Sequence, residues 1–165
     1  MVPGRLDLEL EVVVEDWRHA VSDVDAIVRN AASFAWAAAG SEHDAELNLI
    51  LNDDRAVRRL NREHRGCDRS TNVLSFPMGE PMDPDGPVHL GVIILAFETV
   101  TKEAMRDEKS LEAHISHLVV HGLLHLLGHD HAAEAEAEEM EGTEISILSK
   151  LGYPDPYVSL SEALE

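Results

Sequence analysis

The stretch Leu90–Gly128, LGVIILAFETVTKEAMRDEKSLEAHISHLVVHGLLHLLG, changes its hydrophobic period partway along, and that change decides the fold class. Leu90–Phe97 is rich in β-branched residues and reads as a strand. From Glu98 to Leu127 apolar residues recur at helical spacing, as one helix or as two joined near Asp107–Ser110, until Gly128 interrupts them. Upstream, Asn72–Phe76 (NVLSF) ends at Pro77 as another strand, and the GEPMDPDGP segment between the two is a loop by its Pro and Gly content. Ala45–Leu51 (AELNLIL) alternates apolar and polar residues as a third strand. Leu6–Val14 (LDLELEVVV) alternates and then becomes all β-branched, which predicts a strand half buried and then fully buried. Helices are expected over Asp16–Ala39, as one long element stopped by Gly40, and over Arg55 to about His64 behind the cap candidates Asn52, Asp53 and Asp54. A last helix is expected from about Ala132 to Leu151. Strands and helices are interspersed without strict alternation and no repeat or linker divides them, so the expectation is a single α+β domain.

Composition agrees with that expectation. The chain has 165 residues, of which 44% are hydrophobic and 27% charged, the balance of a soluble globular protein with a real core. Its 32 acidic residues against 13 Lys and Arg give a formal net charge of −19, which excludes wholesale electrostatic adhesion to nucleic acid or anionic lipid. A polyanionic partner would have to be held by a local basic patch. The single cysteine, Cys67, cannot form an internal disulfide, the N-terminal residues do not read as a signal peptide, and the expected location is the cytoplasm. The longest small-apolar stretch, Ala31–Gly40 (AASFAWAAAG), is about half the length needed to cross a bilayer and is expected to be a buried helix face.

The chemistry-bearing segment is His121–His131, HGLLHLLGHDH. His121 and His125 stand four apart in an apolar helical context, so their imidazoles project from one face a turn apart, close enough to share a metal ion. Gly128 can adopt the left-handed conformation that ends a helix, which lets a third histidine, His131, reach the same ion. His117 and His129 rival His131 for that place, and Asp130 either orients a ligand imidazole or caps the turn. His114 reads as structural. The spacing H-x-x-x-H-x-x-G-x-x-H is also that of the metzincin peptidases, and three nitrogen ligands leave a fourth tetrahedral position open, as catalytic zinc requires. Metzincins, however, place a glutamate general base directly after the first histidine. Gly122 stands there in this chain and can neither take nor give a proton, so the chemistry that remains suits phosphodiesters.

Six of the basic residues, Arg55, Arg58, Arg59, Arg62, Arg65 and Arg69, fall within one short segment opposed only by Glu63 and Asp68. Guanidinium pairs bidentately with phosphate and stabilises charge that grows in a phosphoryl transition state. Arg55, Arg58, Arg59 and Arg62 are at helical spacing and fit a solvated, carboxylate-paired face slightly better. Arg65 and Arg69 are expected in the turn before NVLSF, where loop residues more often act, and for Arg65 a functional role is preferred. The glutamates of Glu134–Glu144 read as a solvated face, and Cys67 as an ordinary thiol.

With LNREHRGCDRSTNVLSFP (Leu60–Pro77), HLGVIILAFETV (His89–Val100) and HLVVHGLLHLLGHDH (His117–His131) together, the chain closely resembles the YbeY-type endoribonucleases, the bacterial rRNA maturation factors. The resemblance extends over nearly the whole length, including the acidic last helix and the LGYPDPY segment. It implies a single domain over residues 1–165 with a small mixed sheet of about four strands flanked by helices, and a metal site on a central helix and the turn after it. One zinc ion is then held by His121, His125 and His131, and the family's important arginine falls on Arg65. The implied activity is zinc-dependent cleavage of single-stranded RNA in maturation of the 16S rRNA 3′ end and ribosome quality control. Contact with the small ribosomal subunit and a ribosome-associated GTPase is implied too, and none with a membrane. Val92 stands where the family usually has Asp, and His129 where an aromatic usually precedes the Asp–His pair. Other readings are a metallopeptidase with a base brought from elsewhere and a noncatalytic ribosome assembly factor with structural zinc. Whether water or the RNA 2′-hydroxyl attacks is left open.

Overall fold

The computed structural model describes residues 2–78, 85–128 and 134–158. Strands β1 (Leu6–Val12), β2 (Ala45–Asn52), β3 (Val73–Pro77) and β4 (Val88–Ala96) form one sheet in the order β1-β2-β4-β3. β1, β2 and β4 are parallel and β3 runs antiparallel to β4, so the sheet is mixed, as expected. The described helices are α1 (Asp16–Ala20), α2 (Val24–Ala39), α3 (Asp54–Arg65), α4 (Phe97–Arg106), α5 (Leu111–Leu126) and α6 (Glu134–Lys150). None of them is long and apolar enough to cross a membrane.

Strand alternation distributes the apolar residues over two cores. Leu47, Leu49 and Leu51 of β2 and Ile93 and Leu95 of β4 join the larger core with α2, α5 and α6. Their neighbours Ile50, Ile94 and Ala96 join a smaller one with Val57 of α3 and Leu74 of β3. Helices therefore flank both faces, α5 on one and α3 on the other. The alanine-rich stretch behaves as expected: Ala31, Ala32 and Ala35 are fully buried, and their small size lets α2 lie close against α5. Val92 packs at the margin of the smaller core.

Several boundaries differ from the sequence reading. Residues 16–39 form two helices, because Val21 turns extended (φ −133°, ψ 110°) between them. Trp17 anchors α1, fully buried, with its indole N–H donating to the Asn52 carbonyl at 3.0 Å and its ring edge-on to Phe97. A straight helix could not keep that anchor and also lay Val24, Val28 and the alanines on the sheet. β1 ends at Val12 and alternates half-buried and exposed residues throughout, with Val13 exposed, because it is an outer strand. The helix after β2 runs from Asp54 to Arg65, with the Asp53 carboxylate accepting from Ala56 N at 2.8 Å as its N-cap. The helical region after β4 is two helices, parted at residues 107–110 as one of the two readings had it. β4 starts earlier than expected and carries a register shift near Leu90 opposite Glu46 and Leu47. Gly91 there has φ 144°, and a Cβ on it would stand 2.2 Å from the Phe76 carbonyl oxygen, so only glycine fits. The start of the last helix near Ala132 lies outside the described residues.

Candidate active site over the edge strand

Ser110 caps α5 through its hydroxyl, which accepts from Ala113 N at 3.1 Å. The helix then carries His114, His117, His121 and His125 at three- and four-residue spacing, which places them in sequence along one side. His121 and His125 approach most closely, with ring centroids 4.6 Å apart. After them Gly128 has φ 95°, the left-handed conformation expected of a helix stop, and its N–H donates to the His125 carbonyl. His129, Asp130 and His131 lie outside the described residues.

The two histidines line a cleft of about 450 Å³ together with Arg65, Asn72, Ser75 and Pro77. Arg65 arrives from the opposite face of the sheet. It is the last residue of α3, not a turn residue as its sequence setting suggested, and Gly66 ends the helix at φ 71°. The Arg65 guanidinium donates to the Ser75 carbonyl at 2.9 Å and lies 5.5 Å from the centre of the Phe76 ring. β3 is an edge strand, and beside it the cation from α3 and the imidazoles from α5 line one cleft.

Gly122 faces the sheet. A Cβ on it would lie 3.1 Å from Ile93 Cγ2 and 3.1 Å from Ser75 Oγ, so the residue after the first histidine has no space for a glutamate. The glycine lets α5 seat on β3 and β4.

Among the remaining arginines, Arg58 and Asp68 pair at 2.8 Å and Arg62 stands 3.9 Å from the same carboxylate, the solvated pairing the sequence reading favoured for them. Arg69 holds its turn through its carbonyl, which accepts from Asn61 Nδ2. Cys67 is exposed and unbridged.

The sequence reading missed Glu144. Glu134, Glu136, Glu138, Glu139 and Glu141 are exposed as expected, but Glu144 is fully buried. Its place was signalled by its neighbours, because Met140, Ile147 and Leu148 stand three and four residues away and are buried on the same stripe. Glu144 Oε1 meets His121 Nδ1 at 2.5 Å, the Tyr157 hydroxyl donates to Oε2, and His117 Nε2 stands 3.6 Å from Oε2 and 3.3 Å from the Tyr157 oxygen. Burial pushes the Glu144 carboxyl up, but the polar contacts with His117, His121 and Tyr157 outweigh it and hold the group at about 2. The same burial and the Glu144 carboxylate push the Tyr157 hydroxyl above its ordinary range.

Two sets of residues bear on a metal ion. His117, His121 and Glu144 form a group whose ligand atoms lie within 4.8 Å of one another and could hold an ion. His121 and His125 face the cleft, and because Glu144 engages His121 Nδ1, ligation from the cleft falls to Nε2. Neighbouring imidazoles one helical turn apart, one of them backed by a carboxylate, suit a borderline divalent ion. A larger cavity of about 650 Å³ adjoins the cleft at Asn72 and is lined by Glu103, Arg106, Lys109, His114 and Tyr157. It lacks the histidine pair, and its cations are engaged: Arg106 is bidentate on Asp107, and the Lys109 ammonium donates to the Pro156 carbonyl. His114 is structural as read, with its Nε2 3.0 Å from Glu103 Oε1, which also accepts from Asn72.

Comparison with known proteins agrees across sequence and fold. The sequence profile of the family described as Endoribonuclease YbeY matches residues 11–152. The chain is 46% identical to the Endoribonuclease YbeY of Parvibaculum lavamentivorans over 160 residues, covering 91% of this chain and 85% of that protein. With the Endoribonuclease YbeY of Rhodopseudomonas palustris it shares 46% identity over 159 residues, covering 94% and 92%. In fold it is similar to the solution structure of TM1509 from Thermotoga maritima, with a TM-score of 0.54 at 21% identity over 92% of this chain and 99% of that one.

Proposed function

The chain belongs to the YbeY family, and from that premise we propose that it is a zinc-dependent endoribonuclease that cuts single-stranded RNA in rRNA processing. The observation that carries the reading is the convergence of His121, His125 and Arg65 on one cleft from opposite faces of the sheet. Residues 1–165 then act as a single metal-dependent hydrolase domain. His121, His125 and His131 hold the ion in this reading. Zinc suits imidazole donors, and when bound it supplies Lewis-acid stabilisation of charge on phosphate oxygens.

The chain's own residues do the rest. Arg65 spends one donor on the Ser75 carbonyl, which fixes the fork, and guanidinium has five. The others bind the scissile phosphate or the one beside it and stabilise the extra negative charge of the transition state. Phe76 supports the guanidinium from beneath. The crowding at Gly122 disfavours a metzincin-type peptidase with its base at that position, because Ile93 and Ser75 fill the space.

Family membership supports action at the 16S rRNA 3′ end in the cytoplasm, with the small ribosomal subunit and a ribosome-associated GTPase as partners, as parts of the same proposal. Incubating zinc-loaded protein with single-stranded RNA, duplex RNA and an unfolded protein tests the reading. Cleavage of the single strand alone is expected. Protein cleavage, or no cleavage of RNA with zinc bound at four protein ligands, would overturn it.

A further inference from the structure

We propose that Glu144 is a positioning residue that holds His121 in one tautomer and one ring orientation, with Tyr157 and His117 completing a directed hydrogen-bond chain behind it. The inference takes from the proposed function only its consequence for metal affinity; the chain itself is read from the contacts.

The two oxygens of Glu144 face two imidazole nitrogens and a hydroxyl, and a carboxylate meets such a set only as acceptor. The group 2.5 Å from its Oε1 must then be His121 Nδ1–H, and the Tyr157 hydroxyl must direct its proton to Oε2. With that proton committed, the Tyr157 oxygen is left to accept from His117 Nε2–H at 3.3 Å. His117 Nδ1 is buried without a hydrogen-bond partner, which is consistent: a bare ring nitrogen is cheaper to bury unpaired than an N–H. The chain therefore runs from His117 to Tyr157 to Glu144, and Glu144 also takes the proton of His121. It ties α5 to α6 and to the segment carrying Tyr157, and it commits the Nδ1 edge of His121.

The same geometry argues against His121 Nδ1 and Glu144 Oε1 ligating one ion together. Two ligands each about 2.1 Å from a tetrahedral zinc stand roughly 3.4 Å apart. His121 Nδ1 and Glu144 Oε1 are closer than that, at hydrogen-bond distance.

The test uses the full chain with Glu144→Gln, Tyr157→Phe and wild type. Side-chain nitrogen NMR of the metal-free protein reads the tautomer, and competition with a chelator reads zinc affinity. In wild type His121 is expected as the Nδ1–H form. Glu144→Gln, which keeps shape but loses the charge, is expected to populate the Nε2–H form and to bind zinc about 10–100-fold more weakly. Tyr157→Phe, which leaves the His121–Glu144 contact in place, is expected to keep the tautomer. Wild type in the Nε2–H form would overturn the inference, as would Glu144→Gln with unchanged tautomer and affinity. A wild type that binds no zinc yet shows Nδ1–H His121, lost in Glu144→Gln, would overturn the metal reading and support the hold of Glu144 on His121.

Discussion

The guanidinium of Arg65 donates to the main-chain carbonyl of Ser75 at 2.9 Å, so the arginine is fixed to the edge strand rather than carried on a free helix end. That strand is the one on which α5 seats through Gly122, which couples the placement of the cation to the placement of the histidines. Truncating Arg65 to alanine is therefore expected to leave metal content and fold intact and to lower kcat on single-stranded RNA by about 10²–10³-fold, the usual cost of removing one donor to a developing oxyanion. Arg65→Lys keeps the charge but not the fork and should recover only part of the loss. Steady-state kinetics with metal analysis on the same preparations checks this. Equal loss of metal and activity would assign Arg65 a structural role.

Gly122 sets a second expectation. Gly122→Glu, which would restore the metzincin pattern, must push a carboxylate against Ile93 and Ser75 in a buried seam. It is expected to lower stability by more than about 3 kcal/mol and to create no peptidase activity, because overpacking and an unpaired buried charge act together. Denaturant titration and a casein assay measure both. A stable variant that cuts protein would contradict the packing argument.

The histidine spacing, the Gly128 stop, the alternation of β2 and the β-branched run of β4 were legible in the sequence because each is a local pattern. The break between α1 and α2 was not, since it depends on Trp17 reaching the end of β2 and Phe97, contacts distant in the chain. Arg65 read as a turn residue because the helix end is set by Gly66 in its left-handed conformation, one residue later than the apolar pattern suggested. Glu144 read as one more solvated glutamate because composition dominates that helix. Only its place between Met140 and Leu148 marked it as buried, and its partner His121 is 23 positions away.

His114 predicts a pH dependence. Burial holds its pKa below the ordinary 6.5, with Glu103 pulling the other way, so the native state favours the neutral ring. As pH falls below about 6.5 the unfolded chain takes up a proton that the folded chain resists. The stabilisation is thus full above that pH and declines as pH drops from there toward the folded-state value. In urea melts at pH 8 and pH 5.5, wild type is expected to lose more stability than His114→Gln. Equal losses would remove His114 from the account.

The central claim is that His121 and His125 hold a catalytic ion in the cleft that Arg65 completes. It is tested most directly by measuring zinc content and single-stranded RNA cleavage together on purified His125→Ala beside wild type. The account predicts about one zinc per chain and cleavage in wild type, with both lost in the variant while circular dichroism stays native. A metal-free His125→Ala preparation that cuts RNA at the wild-type rate would contradict it.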